Sequence, residues 1–168
     1  MELGARVGRD QVLILLKATL VFGINLQYLV PSQLATVYQV RIGPRPTDKL
    51  LSTVAFSDTP IGQIVSTLQQ SLEGCPYLKP VNILYSPFYK GYYYTLEESE
   101  IAALQLQGWQ NQGILGYAVP SAGLCEATTV IYTFFKNNQG YVQVTNASSD
   151  AFLYDRFFIF SGRLWAMW

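Results

Sequence analysis

Histidine is missing from all 168 residues. Without an imidazole there is no Ser/His/Asp or Cys/His nucleophile, no His-ligated zinc and no histidine acid–base catalysis. Charge is scarce too: 13% of residues are charged, split evenly into 11 basic and 11 acidic. So balanced a chain lacks the basic surface with which a nucleic-acid binder tracks phosphates, which argues against nucleic acid as a partner. Cysteine occurs twice, at Cys75 and Cys125, and allows one intramolecular pairing. There is no phosphate-binding glycine loop, dinucleotide fingerprint or calcium-loop run of acids, so neither cofactor nor metal is expected. No membrane span is expected either, because the apolar stretch Ala18–Val30 is shorter than the roughly 20 residues a bilayer requires.

Carboxylates are the remaining route to catalysis. They cluster only at Glu97, Glu98 and Glu100, at the polar start of an expected helix, where the helix dipole stabilises acids. Asp48, Asp58, Asp150 and Asp155 lie singly beside expected turns or caps. No acid–base pair can be nominated, and a non-catalytic protein is expected.

What is abundant is aromatic: 12 Tyr and 9 Phe, in a chain that is half hydrophobic, a composition that favours strands. The length fits one well-covered core. Residues 1–35 stand apart. Arg6 and Arg9 precede the apolar runs Val12–Leu16 and Ala18–Ile24, and the segment leaves through Pro31 and Ala35 in the manner of a secretory signal, although Lys17 divides the apolar part. Secretion is the expectation; a buried strand or helix of the fold is the competing reading. Export would also give meaning to the glycosylation sequon Asn146-Ala147-Ser148.

The rest of the chain repeats. Val81–Thr95 reads as strand, turn and Tyr-rich strand, and Ile131–Thr145 reproduces that design over the same 15 residues. Val37–Val40 and Leu50–Ser52, joined through Gly43–Asp48, give a third version with a longer turn. Each second strand ends in a hydroxyl residue. A helix is expected next. In the first copy Pro60 opens it and Ile61, Ile64, Val65 and Leu68 lie at helical spacing; in the second Ile101, Leu104 and Leu106 precede a capping Gly108; in the third only Asn146–Tyr154 is left for it. A closing strand follows at Gln112–Val119 and at Ser161–Trp168, while the first copy keeps only Glu73-Gly74 and its closing strand is expected to be truncated or absent. Cys75 and Cys125 precede the opening strands of successive copies; they are either a disulfide or two buried thiols.

The ordered set Ser86-Pro87, Tyr94-Thr95, the acidic helix, Gly108-Trp109 and Gln112-Gly113-Ile114-Leu115-Gly116-Tyr117 resembles DUF5648, a tandem repeat family of unknown function. The resemblance covers about 130 residues, strongest in the middle copy and weakest in the first. It implies secreted proteins, some carrying the repeat beside hydrolases, and an accessory or lectin-like role. The family's Asp-His before the aromatic pair of the second strand is not kept: Asp48-Lys49 retains the acid alone, and Gly91-Tyr92 and Tyr141-Val142 retain neither.

The expected fold is therefore mainly β with short helices. Three diverged hairpin/helix/strand repeats, at about 37–78, 79–122 and 129–168, would share one core with pseudo-threefold symmetry, inside a single domain spanning 36–168. The function expected is a secreted carbohydrate- or cell-surface-binding module, taking a glycan or cell-wall polysaccharide. The alternative is a structural or protein-interaction module with degenerate sites, and a carboxylate hydrolase is third. Candidate ligand-binding residues are Tyr89, Tyr92 and Tyr94 around Gly91, Trp109, which either faces solvent or locks helix to strand, and Asn138 in the turn Asn137–Gly140. Alternation puts Tyr92 and Tyr94 on one face of their strand and Tyr93 on the other, so one side must face the core or a neighbour.

Overall fold

Apolar side chains alternating along short runs, interrupted by polar or Pro/Gly turns, form antiparallel hairpins in this chain. The computed structural model describes residues 33–42, 49–54, 59–67, 74–146 and 157–168. Its strands are β1 (Leu34–Arg41), β2 (Lys49–Ser52), β3 (Thr59–Val65), β4 (Lys79–Ser86), β5 (Gly91–Thr95), β6 (Gln110–Ala118), β7 (Thr129–Lys136), β8 (Gly140–Thr145) and β9 (Ile159–Met167). A helix, α1 (Glu98–Leu106), lies between β5 and β6. The three expected hairpins are β1–β2, β4–β5 and β7–β8, and all strand pairs are antiparallel. The fold is mainly β, in a six-stranded sheet of order β2-β1-β3-β6-β4-β5 and a three-stranded sheet of order β8-β7-β9. Taken along the chain, the strands fall into three triplets, each with its opening strand in the middle.

The first triplet departs from expectation. Thr59–Val65 is a strand, not a helix, and it supplies the closing strand that seemed to be lost. Ile61, Ile64 and Val65 satisfy helical spacing equally well as a strand covered on both faces. They are β-branched and so suited to a pleated surface. Pairing with β1 on one side and β6 on the other decides between the two. Gly116 allows this: a Cβ there would sit 2.8 Å from the Val65 carbonyl oxygen and 3.0 Å from Ile64. Leu68, Glu73 and residues 1–32 lie outside the described residues, as does the third expected helix beyond Asn146. Leu34 and Ala35, assigned by the sequence to the exit of the N-terminal segment, belong to β1 and pair with Val65 and Ile64.

The second triplet follows its sequence closely. Gly108, with φ +88°, ends α1: its N–H bonds the Gln105 carbonyl while that of Trp109 bonds the Leu104 carbonyl, a Schellman cap completed by packing of Trp109 against Leu104. Of the helix's expected apolar face only Leu104 is buried, whereas Leu106 is 91% exposed.

The triplets meet at the far ends of their closing strands. Val65 of β3 pairs with Tyr117 of β6. Val119 and Ala166 exchange both backbone hydrogen bonds, and so do Gln63 and Trp168. One core fills the centre with Val37, Leu51, Ile64, Val81, Tyr94, Ala118, Ile131, Trp165 and Met167, drawn from eight of the nine strands. A second surrounds the junction of β3, β6 and β9 with Val65, Val119, Ala127 and Ala166, and at its centre Cys75 and Cys125 form a disulfide, their Cα atoms 5.8 Å apart. The lead-ins to β4 and β7 converge there, which brings related positions close. Trp168 closes the junction by donating from Nε1 to the Cys125 carbonyl at 2.6 Å.

The disulfide spans 50 residues, and restricting a loop of that size in the unfolded chain is worth about 4 kcal/mol. Replacing both cysteines by alanine is expected to lower the unfolding free energy by roughly 2–5 kcal/mol in urea titration, with the far-ultraviolet spectrum of the folded protein unchanged.

Candidate functional site

β5 carries the run Tyr92-Tyr93-Tyr94, and its alternation is as expected, but both faces are covered. Tyr93 is 1% exposed and packs with Leu84, Leu104 and Trp109, while Tyr94 is 3% exposed in the central core. The Leu51 N–H donates to the Tyr94 hydroxyl at 2.8 Å, and that hydroxyl faces the Leu51 carbonyl at 3.4 Å. The Gln143 side chain then grips the Tyr94 backbone: its Oε1 accepts from the Tyr94 N–H and its Nε2 donates to the Tyr94 carbonyl, both at 2.8 Å. Nε2 also donates to Thr133 Oγ1 at 2.9 Å. Burial pushes the Tyr94 phenol well above its ordinary range, with the Leu51 hydrogen bond opposing the shift.

The five candidate residues do not form one site. Tyr94 is structural. Trp109, 5% exposed, is likewise removed from solvent, because the Schellman cap folds it back onto Leu104 among the rings of Tyr89, Tyr93 and Tyr141. Of its two sequence readings, the locking one applies. Tyr89 is half-buried, wedged between Trp109 and Phe135 against Gly140. Tyr92 is half-buried and packs at 5.1 Å, tilted by 48°, against Tyr85, its cross-strand partner. Asn138 alone is exposed, at the tip of the β7–β8 hairpin beside a shallow hollow lined by Phe135, Lys136, Asn137, Phe157 and Ile159. Asn146, of the sequon, is exposed at the end of β8.

The structure brings a different set together. Tyr93 and Thr95 lie two apart on one face of β5, and both donate their hydroxyls to Glu100 Oε2, the former at 2.9 Å. Thr95 Oγ1 in turn accepts from the Glu97 N–H, turning the chain into α1. Glu100 thereby becomes a fixed carboxylate rather than a solvated first-turn acid. It stands at the edge of a cleft of about 270 Å³ between the second and third triplets, lined by Tyr93, Tyr94, Thr95, Leu96, Glu97, Glu100 and Pro120 from the second and Thr133, Gly162, Leu164 and Trp165 from the third. Thr133 and Trp165 are buried, Leu164 is partly open, and Glu97 pairs with Lys79 at 3.1 Å on the surface. Among the described residues Trp165 Nε1 is the buried side-chain polar atom left without a hydrogen-bond partner.

A family model described as Domain of unknown function (DUF5648) matches residues 51–156. The chain belongs to that family. The DUF5648 match takes in β5, α1 and Thr133 but stops short of β9, so of the residues lining the cleft Gly162, Leu164 and Trp165 fall outside it. No curated protein and no solved structure matches the chain. Among the described residues no group of three or more His, Cys, Asp or Glu could hold a metal ion, and no helix is long and apolar enough to cross a membrane.

Sequence reasoning read Glu100 only as a first-turn acid and nominated neither Thr133 nor Trp165 for a site. A signal for the first was present: a hydroxyl-bearing Tyr93/Thr95 pair on one strand face, with a carboxylate in the first turn of the next helix. Tyr94→Phe is expected to cost about 1–3 kcal/mol in denaturant titration by leaving the buried Leu51 N–H without its acceptor. The folded protein holds the phenol neutral where the unfolded chain, titrating near 10, ionises. Wild-type stability should therefore fall as pH rises above 10, and the gap to Tyr94→Phe should narrow there.

Proposed function

We propose that this protein is a secreted, non-catalytic module that binds carbohydrate, free or on a cell surface, through the cleft between its second and third triplets. The observation that carries this reading is the lining itself. A carboxylate pre-set by two hydroxyls, two buried threonines, an indole and an open leucine combine fixed polar groups with apolar surface, as sites for polyhydroxylated ligands require. Non-catalytic action is supported by Glu100, whose Oε2 is committed to two neighbouring hydroxyls and so is poorly placed to exchange a proton with substrate. The Cys75–Cys125 disulfide supports export, since such bonds persist in oxidising compartments.

In the same reading the three triplets are diverged copies of one hairpin-plus-strand unit with pseudo-threefold arrangement. Their common strand order, the 50-residue offset of the two cysteines and the pairwise meeting of β3, β6 and β9 support this. A second function, protein interaction, draws on one end of the molecule, where Phe88, Phe157 and Ile159 are 84%, 59% and 67% exposed.

A glycan array probed with the full chain tests the first reading. Binding to a subset of glycans is expected, abolished by Leu164→Trp, which fills the cleft, and unchanged by Tyr92→Ala and Asn138→Ala. No signal on any glycan, or binding indifferent to Leu164→Trp, would overturn it.

A further inference from the structure

We propose that the end of the molecule formed by the tips of hairpins β4–β5 and β7–β8 rests on an anionic membrane surface, with Phe88 immersed at the headgroup level. This goes beyond the carbohydrate reading and uses no part of the cleft. Two turns stand side by side at that end, residues 87–90 between β4 and β5 and residues 137–139 between β7 and β8. Tyr89 joins them: its ring lies 6.3 Å from that of Phe135 and packs so closely on Gly140 that a Cβ there would sit 2.8 Å from it. The start of β9 completes the end, where Ile159 pairs with Phe135 and the Phe157 ring lies 5.4 Å from the Lys136 ammonium.

The apolar groups of this end are raised rather than covered. Phe88 is 84% exposed and braced edge-on against Tyr89 at 4.9 Å, and Phe157 and Ile159 are exposed too. Charge is the second observation. Lys90 and Lys136 are the charged side chains described at this end, and both are cationic. The described acids lie at the opposite ends of the same strands: Glu97, Glu98 and Glu100 follow β5 away from its turn, and Glu126 precedes β7. Lys136 lies over the rings of Phe157 and Phe158, which are neutral and leave its charge intact. Aromatic side chains entering the interface beside lysines that attract anionic headgroups hold a protein on a bilayer without spanning it.

The backbone fits the same role. A turn entering the interface loses water, so its N–H groups need partners within the protein. Pro87 has no N–H, and those of Tyr89 and Lys90 bond inward to the Ser86 hydroxyl at 3.2 Å and the Ser86 carbonyl at 2.8 Å. In the other turn the Gln139 N–H donates to the Lys136 carbonyl at 3.0 Å. A protein partner fits this end less well. Standard protein interfaces need a continuous face of about 800 Å² on each side, whereas here single apolar side chains are interspersed with the exposed Asn137 and Asn138.

The test is co-sedimentation of the full chain with vesicles of phosphatidylcholine, with and without phosphatidylserine. Binding should be on the order of tenfold or more tighter with phosphatidylserine and should weaken as salt is added. Phe88→Ala should lower it by about tenfold and Lys90→Gln by roughly fivefold, each with an unchanged far-ultraviolet spectrum because both side chains are exposed. Ile114→Ala removes a half-exposed apolar side chain from the middle of β6, opposite Asn82, and should leave binding unchanged. No binding to phosphatidylserine vesicles, binding indifferent to Phe88→Ala, or an equal loss in Ile114→Ala would overturn the proposal and leave this end to a protein partner. These vesicles carry no sugar, so the outcome is independent of the glycan array.

Discussion

Tyr94 is held from two sides, and the three triplets meet through it. Its side chain crosses to β2 and exchanges hydrogen bonds with the backbone of Leu51, while its own backbone is clasped by the Gln143 amide from β8. All of these bonds sit in or beside the central core, where an unmet polar group is costly, so each triplet fixes the position of the other two. The disulfide adds a covalent join between the second and third triplets, linking the lead-ins of β4 and β7 within the second core.

The cleft follows from that arrangement. With Tyr94 directed to the centre, its neighbours Tyr93 and Thr95 turn to the other face of β5, and Glu100 folds back onto them from α1. β9, pairing only with β7 over most of its length, brings Leu164 and Trp165 to the facing wall. The cleft thus lies on the seam between two strand layers and is already formed in the folded protein.

Local features of the sequence were legible because local physics sets them. Hairpins β4–β5 and β7–β8 follow from period-two alternation around turn residues, and the Gly108 cap from the end of helical spacing. The stretch Ile61–Val65 was misread because its spacing suits a helix and a doubly covered strand alike, and the deciding neighbours, β1 and β6, are distant in sequence. Trp109 was open to two readings for a related reason: the cap that buries it is local, but the rings that cover it, Tyr89, Tyr93 and Tyr141, are not. The cleft was illegible as a whole. Residues 93–100 carry one wall and Thr133, Leu164 and Trp165 the other, and nothing in either segment announces its partner.

The Gln143 amide has an effect beyond the join it makes. β5 ends the six-stranded sheet, and an end strand ordinarily offers a row of open backbone groups on which a foreign strand can add. At Tyr94 both groups are already taken by a side chain that imitates one residue of a neighbouring strand without continuing as one. The sheet is thereby terminated rather than left extendable, so the same contact that assembles the molecule also discourages it from templating its own aggregation.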